Sequence, residues 1–378
     1  MPSELKVLEH GRLLPEFVAA RGLAAAWIVA AHTLAAVMQG HGGVPGPIEY
    51  TRVVVDFFFI QSGFVLAHIY DPAWREGRFR YAEFLARRIA RLWPLHVATL
   101  LAVAGLILAG RLFGLAPGNA HDARSFAVTL FMLHSAWMTP DLAWNWPSWS
   151  VSAEWFAYLA IPLFFLAADR VRSAPARIAV GLGVFVAFAA VSELALRENL
   201  IELTFDGGAF RIVPSFLAGI LLRRMFETES ALSAMTLKAY AVVVGGVFIV
   251  SATLAAFGVS YDALWPPALV LVAALAARSM NDDPGLLRGR ALAWLGELSY
   301  AIYLVHAIVL MVVFFAAKFL GLADSLGHRA VLGGLSFCAT FVAAQAAYTL
   351  VEKPGRTLMA RLLLPQDGRG RIAKRRAV

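Results

Sequence analysis

Runs of about twenty consecutive apolar residues recur along this chain, each long enough to cross the hydrocarbon core of a bilayer as a helix. Nothing else in the sequence restricts the fold so strongly. Inside lipid no water is available to backbone N–H and C=O groups, so a crossing segment must be an α-helix or part of a closed barrel. The runs are continuous rather than alternating, which selects the helix. Composition agrees, with 60% hydrophobic and 15% charged residues over 378 positions, where a soluble domain carries about 25% charged residues. The expected fold class is an all-α polytopic membrane protein.

Ten spans are expected, near 17–38, 53–70, 92–110, 149–169, 177–196, 210–226, 239–258, 262–279, 295–318 and 330–351. Lys and Arg collect on the cytoplasmic side of a membrane protein, so their distribution reports orientation. With the N-terminus inside, the cytoplasmic segments and their borders hold about 26 of the 33 Lys and Arg residues, and the reverse orientation leaves about 7 inside. Both termini are therefore expected in the cytoplasm, with the chain in the inner membrane. Residues 125–138 are apolar but short for a crossing, and counting them as one would move Arg170, Arg172 and Arg177 outside. Residues 111–148 accordingly read as an extracytoplasmic excursion, with a re-entrant or interfacial segment near 125–148. Asn145, Trp146, Pro147 and Trp149 suit its return at the interface, where Trp is enriched. Residues 1–356 read as one transmembrane domain, and 357–378 as a basic cytoplasmic tail against anionic headgroups. Orientation thus accounts for the net charge of +8, and no nucleic-acid partner is expected. Cys338 is the sole cysteine, which excludes an intrachain disulfide. The first apolar run reads as a retained helix rather than a cleaved signal.

Polar groups within such runs are costly and point to function by default. Arg21 and His32 are eleven residues apart, a spacing that returns to within about 20° of one helix face, about 16 Å along the axis. Histidine titrates near neutral pH, so His32 reads as a base or relay at mid-depth. The alternative is a satisfied structural histidine and an arginine snorkelling to the headgroups. In the second span Asp56 lies near the outer end and Ser62 near the middle, beside Gly63, which permits close helix approach. Arg87, Arg88 and Arg91 stand at the cytoplasmic mouth of the third span. They read as a polyanion clamp, since guanidinium suits bidentate phosphate binding, or as a positive-inside anchor. Pro94 sets a bend or the first turn of that span. The fourth span opens with Trp149, Ser150, Ser152 and Glu154, of which Ser150 and Glu154 share a face. The carboxylate reads as a general base, a sensor of a bound hydroxyl, or half of a structural ion pair. Trp137, Trp144, Trp146 and Trp149 suit an interfacial belt or stacking on a sugar ring. Ser299, Tyr303 and His306 form one polar stripe of the ninth span. Glu352, Lys353 and Arg356 read as a helix stop with a charged cap.

In this order the segments resemble the acyltransferase 3 family of membrane acyltransferases, which modify surface polysaccharides, lipopolysaccharide, peptidoglycan, Nod factors and some macrolides. The resemblance is carried by Arg-x10-His at Arg21 and His32, Phe-Phe-x-x-Ser-Gly-Phe-x-Leu at Phe58 to Leu66, Arg-Arg-x-x-Arg-x-x-Pro at Arg87 to Pro94, and Trp-Ser-x-Ser-x-Glu at Trp149 to Glu154. It continues with Arg-x-x-Pro-x-Phe-x-x-Gly at Arg211 to Gly219, Leu-Gly-x-x-Ser-Tyr-x-x-Tyr-Leu-x-His at Leu295 to His306, and Glu-Lys-Pro-x-Arg at Glu352 to Arg356. The departures, Gln61 where Leu is frequent and Ala153 where Val is frequent, replace no group that does acid–base work.

The resemblance implies transfer of an acetyl or other short acyl group from cytoplasmic acyl-CoA to a hydroxyl of an extracytoplasmic or membrane-associated acceptor, above all a carbohydrate. It implies Arg21, Arg87, Arg88 and Arg91 on the CoA phosphates, and His32 as general base or transient acyl carrier. Glu154, with Ser150, would orient His32 or the acceptor. Asp56, Ser62, Trp149, Ser152, Tyr303 and His306 would support the acceptor side, and Pro94, Glu352, Lys353 and Arg356 the structure. The expected partners are acyl-CoA, a glycan or lipid-linked glycan, and membrane lipids. No metal and no permanently bound cofactor are expected. From other classes, a proton-coupled transporter or flippase also uses buried His, Glu and Arg, but its mark would be an inverted repeat with broken helices, which is not visible. An acyl-CoA-binding subunit without turnover is the third reading.

Overall fold

The structure, a computed structural model, describes residues 14–39, 50–112, 121–229, 236–280, 287–322 and 325–364. Pro15–Met38 (α1) starts at a proline, whose missing N–H has no intrahelical partner at that position anyway. Val53–Arg75 (α2), Tyr81–Leu112 (α3) and the short Ala123–Leu130 (α4) follow, the last capped reciprocally by Asp122 and Ser125. Trp149–Leu159 (α5) and Ile161–Asp169 (α6) form a pair bent by 57°, broken where Pro162 opens the second helix. Ala174–Val191 (α7), Gly208–Thr228 (α8), Leu237–Ala256 (α9), Trp265–Met280 (α10), Arg290–Phe319 (α11), Leu326–Ala347 (α12) and Lys353–Leu363 (α13) complete the bundle. Among the described residues no strand forms.

By length and composition, eight helical segments of the described residues can cross a membrane, nine if the bent pair is one span. The tenth expected span is α8, which carries Arg211, Arg223 and Arg224 and so reads as too polar for lipid. Those groups face protein instead. Arg211 donates to Asp56 of α2 at 2.7 Å, and Arg224 to Asp71 of α2 at 2.7 Å. The Asp56 and Arg211 side chains are each only 1% exposed. By contrast α9 is 11% buried along its most apolar stretch and forms part of the lipid-facing outer layer.

Two tight crossings hold the centre. Where α2 meets α8, a Cβ on Gly63 would lie 2.1 Å from the Phe216 carbonyl oxygen, and one on Gly219 2.0 Å from that of Ile60. Where α1 meets α11, a Cβ on Gly296 would lie 2.1 Å from the Val18 carbonyl oxygen. Only glycine lets these backbones approach so closely. Gln61, one of the departures from the family pattern, donates to the Phe17 carbonyl at 2.9 Å and ties α2 to α1.

The stretch near 125–148 makes no crossing, as expected. At eight residues α4 is about 12 Å long, and the irregular chain after it turns through left-handed backbone at Met132, Trp137 and Trp144. The stretch is packed into the bundle. The Ser152 hydroxyl donates to the Met132 carbonyl at 2.8 Å and accepts the Ser135 N–H at 3.1 Å. Asn145 donates to the Leu304 carbonyl at 3.0 Å.

The helix ends differ from expectation in two places. Pro94 stands well inside α3, which begins at Tyr81, rather than in a first turn. Glu352, Lys353 and Arg356 do not stop a helix: a π-helical turn over Tyr348–Glu352 leads directly into α13. Pro354 follows closely on that π-helical turn. The boundary expected at 356/357 falls inside α13, and residues 365–378 lie outside the described residues.

Candidate active site

The crossing of α1 and α11 brings two histidines face to face. Nδ1 of His32 lies 2.9 Å from Nε2 of His306, and the rings are parallel within 7°. His306 Nδ1 is 2.6 Å from the carbonyl oxygen of Tyr303. A carbonyl only accepts, so this nitrogen carries the hydrogen, and Nε2 of neutral His306 offers a lone pair. His32 therefore donates through Nδ1, which leaves its own Nε2 unprotonated. The Trp146 ring stands edge-on to both imidazoles, with centroids 4.5 Å from His32 and 5.5 Å from His306.

His32 borders a cavity of about 280 Å³, together with Trp146, Trp149, Arg211, Glu202 and Tyr303. Arg211 is fully engaged there. Besides Asp56 it donates to the carbonyls of Leu203 at 3.0 Å and Arg52 at 2.9 Å. Its guanidinium also lies 5.1 Å from the Trp149 ring centre, close enough for a cation–π contact.

A second cavity, of about 100 Å³, is lined by Arg21, Arg91, Ser62, Ser150, Glu154 and Tyr300, among others. Arg21 donates to the Gly296 carbonyl at 3.2 Å and stands within electrostatic range of Arg91, Glu154 and Glu352. Glu154 accepts from Ser62 at 2.6 Å and from the Tyr158 hydroxyl. Two cations and two carboxylates thus offset one another around a small space, which limits the cost of holding charge in the bundle. Val55 and Tyr303 line both cavities. The Ser150 hydroxyl lies 2.8 Å from that of Tyr303.

The structure sorts the expected residues. His32, Trp149 and Tyr303 meet in the larger cavity, and Arg21, Arg91, Ser62, Ser150 and Glu154 in the smaller one. Glu154, expected to orient His32 or the acceptor, makes its bonds to Ser62 and Tyr158, and His306 is the group bonded to His32. Asp56 is bonded to Arg211 of α8, and Ser152 to the Met132 carbonyl of the irregular stretch. Arg88 turns toward Tyr70, 3.4 Å from its hydroxyl, and Arg87 lines neither cavity. Glu352, expected as a helix cap, is buried and faces Arg91 and Arg21. Sequence reasoning missed the part played by Arg211, although a charge inside an apolar run is the same signal that singled out Arg21. Among the described residues, no group of three or more His, Cys, Asp or Glu is arranged to hold a metal ion.

A helical membrane bundle with a histidine on the wall of one cavity and arginines on the wall of another has the parts of an acyl-transfer enzyme. The chain matches the acyltransferase domain family, acyltransferase 3, over residues 15–348. It is 30% identical over 342 residues to the acyltransferase MdmB of Streptomyces mycarofaciens, covering 82% of each chain. It is 26% identical over 314 residues to the exopolysaccharide production protein ExoZ of Rhizobium meliloti (strain 1021), covering 79% of this chain and 88% of that protein. No solved structure matches it. The chain belongs to the acyltransferase 3 family and is an integral membrane acyltransferase.

Proposed function

We propose that the protein transfers an acetyl or other short acyl group from cytoplasmic acyl-CoA to a hydroxyl of a carbohydrate acceptor on the outer side of the inner membrane. The observation that carries this reading is the pair of cavities sharing Tyr303, one holding arginines and the other the free Nε2 of His32. The smaller cavity, about 100 Å³, suits the thioester end of the donor rather than its nucleotide. Arg87 and Arg88, one turn closer to the start of α3 than Arg91, then meet the CoA phosphates, for which guanidinium is suited. The larger cavity, about 280 Å³ with two tryptophans on its wall, is near the lower end of small-molecule sites and suits one sugar unit. His32 Nε2 acts as general base on the acceptor hydroxyl. The distribution of Lys and Arg supports cytoplasmic termini, and the name of ExoZ supports a polysaccharide acceptor.

The test uses purified protein in lipid nanodiscs with labelled acetyl-CoA and surface glycan from cells lacking the protein. Label is expected on the glycan as an ester. His32→Ala is expected to lower kcat by about 10²–10⁴-fold, the usual share of a general base. Transfer by His32→Ala at the wild-type rate would overturn the reading.

A further inference from the structure

We infer that Tyr303 is a catalytic residue whose hydroxyl stabilises the oxyanion formed during acyl transfer, and that Ser150 orients it. This rests on the acyl-transfer reading above. Attack of a hydroxyl on a thioester places negative charge on the carbonyl oxygen, and a preorganised donor at that position is commonly the largest single contribution to catalysis.

The reacting carbon has to sit where donor and acceptor meet. A thioester arriving through the arginine cavity and a hydroxyl held at His32 come together at the boundary of the two cavities, and Tyr303 and Val55 are the residues that line both. Of these only Tyr303 carries a donor. Its hydrogen is available for the task. The Ser150 hydroxyl donates to the Tyr303 oxygen at 2.8 Å, a shorter contact than its alternative to the Pro147 carbonyl at 3.3 Å. In the proposed arrangement Ser150 donates to Tyr303, which turns its own O–H to the substrate, and such chained hydroxyls strengthen one another. The cations of the larger cavity are committed elsewhere, because Arg211 directs its N–H groups at Asp56, Leu203 and Arg52, and Arg52 pairs with Glu202. Tyr303 also bears on the base through its backbone, since its carbonyl takes the Nδ1 hydrogen of His306, which in turn holds His32.

The step balances as follows. His32 Nε2 takes the proton of the acceptor hydroxyl while its oxygen bonds to the thioester carbon. The carbonyl electron pair moves onto oxygen, where the Tyr303 O–H bonds it. Collapse re-forms the C=O, breaks the C–S bond and expels CoA thiolate, which takes the proton back from His32.

The experiment measures kcat and both KM values for Tyr303→Phe and Ser150→Ala, singly and together, with thermal stability of each in nanodiscs. Tyr303→Phe keeps the ring and removes the donor. It is expected to lower kcat by about 10²–10³-fold, the usual loss of one oxyanion donor, with both KM values within about threefold. Ser150→Ala is expected to lower kcat by about three- to tenfold in the wild type and to add nothing in the Tyr303→Phe background, as coupled neighbours do. A kcat for Tyr303→Phe within threefold of wild type would overturn the proposal. So would a loss confined to KM. If Tyr303→Phe does not fold, Ser150→Ala decides alone: a loss in kcat supports the proposal and an unchanged kcat refutes it. Failure of the wild-type protein to transfer label at all would instead defeat the acyl-transfer reading itself.

Discussion

His306 holds the hydrogen of His32 Nδ1 and so decides which imidazole nitrogen is bare. The arrangement predicts a difference between two substitutions of nearly equal bulk. His306→Gln keeps a carbonyl oxygen able to accept that hydrogen and is expected to retain kcat within about tenfold. His306→Leu removes the acceptor and is expected to lose about 10²-fold, the lower share of a general base. Equal rates for the two in the nanodisc transfer assay would show that the contact does not matter. The polar members of the site were legible in the sequence because Arg21, His32 and Glu154 each interrupt an apolar run. Their partners were not. His32 and His306 are 274 positions apart, and helical period relates residues of one helix only. Which turn of α11 meets His32 depends on where α1 and α11 cross, and that is fixed by backbone contact at Gly296.

At the scale of the element, α8 is a helix whose polar face is answered by α2. Asp56→Asn leaves Arg211 without its counter-charge, and breaking a buried pair of this kind costs about 3–5 kcal/mol. The expected result is a clear fall in the thermal unfolding temperature in detergent. Asp56→Leu combined with Arg211→Leu is expected to cost less than the sum of the two single changes, because no lone charge is left buried. Strict additivity in those melts would show that the two do not act as a pair. Gly219→Leu is expected to prevent a monodisperse bundle, since its Cβ alone would lie 2.0 Å from a carbonyl oxygen; a normal gel-filtration profile would contradict the tight crossing. The apolar run of 210–226 marks α8 as a crossing from the sequence, but nothing in that run tells that its arginines face carboxylates of α2. The first-turn reading of Pro94 and the helix stop at Glu352, Lys353 and Arg356 misled for a related reason: where a helix begins and ends is fixed by packing against other helices.

At the scale of the whole molecule, orientation is the prediction to test. With Cys338→Ser as background, Ser173→Cys in the α6–α7 link is expected to react with a membrane-impermeant maleimide only after the membrane is opened. Asp141→Cys is expected to react in intact spheroplasts. The reverse pattern would turn the molecule over and, with it, the sides assigned to donor and acceptor. The Asp56–Arg211 and Asp71–Arg224 pairs between α2 and α8 also have a consequence in time. Arg211 follows Asp56 by 155 residues, and Arg224 follows Asp71 by 153. At about 5–20 residues per second on the ribosome, α2 waits roughly 8–30 s for its counter-charges. Arg75, four residues on, meets Asp71 in the meantime, but Asp56 waits for Arg211, so the centre of the bundle cannot close until α8 has been made.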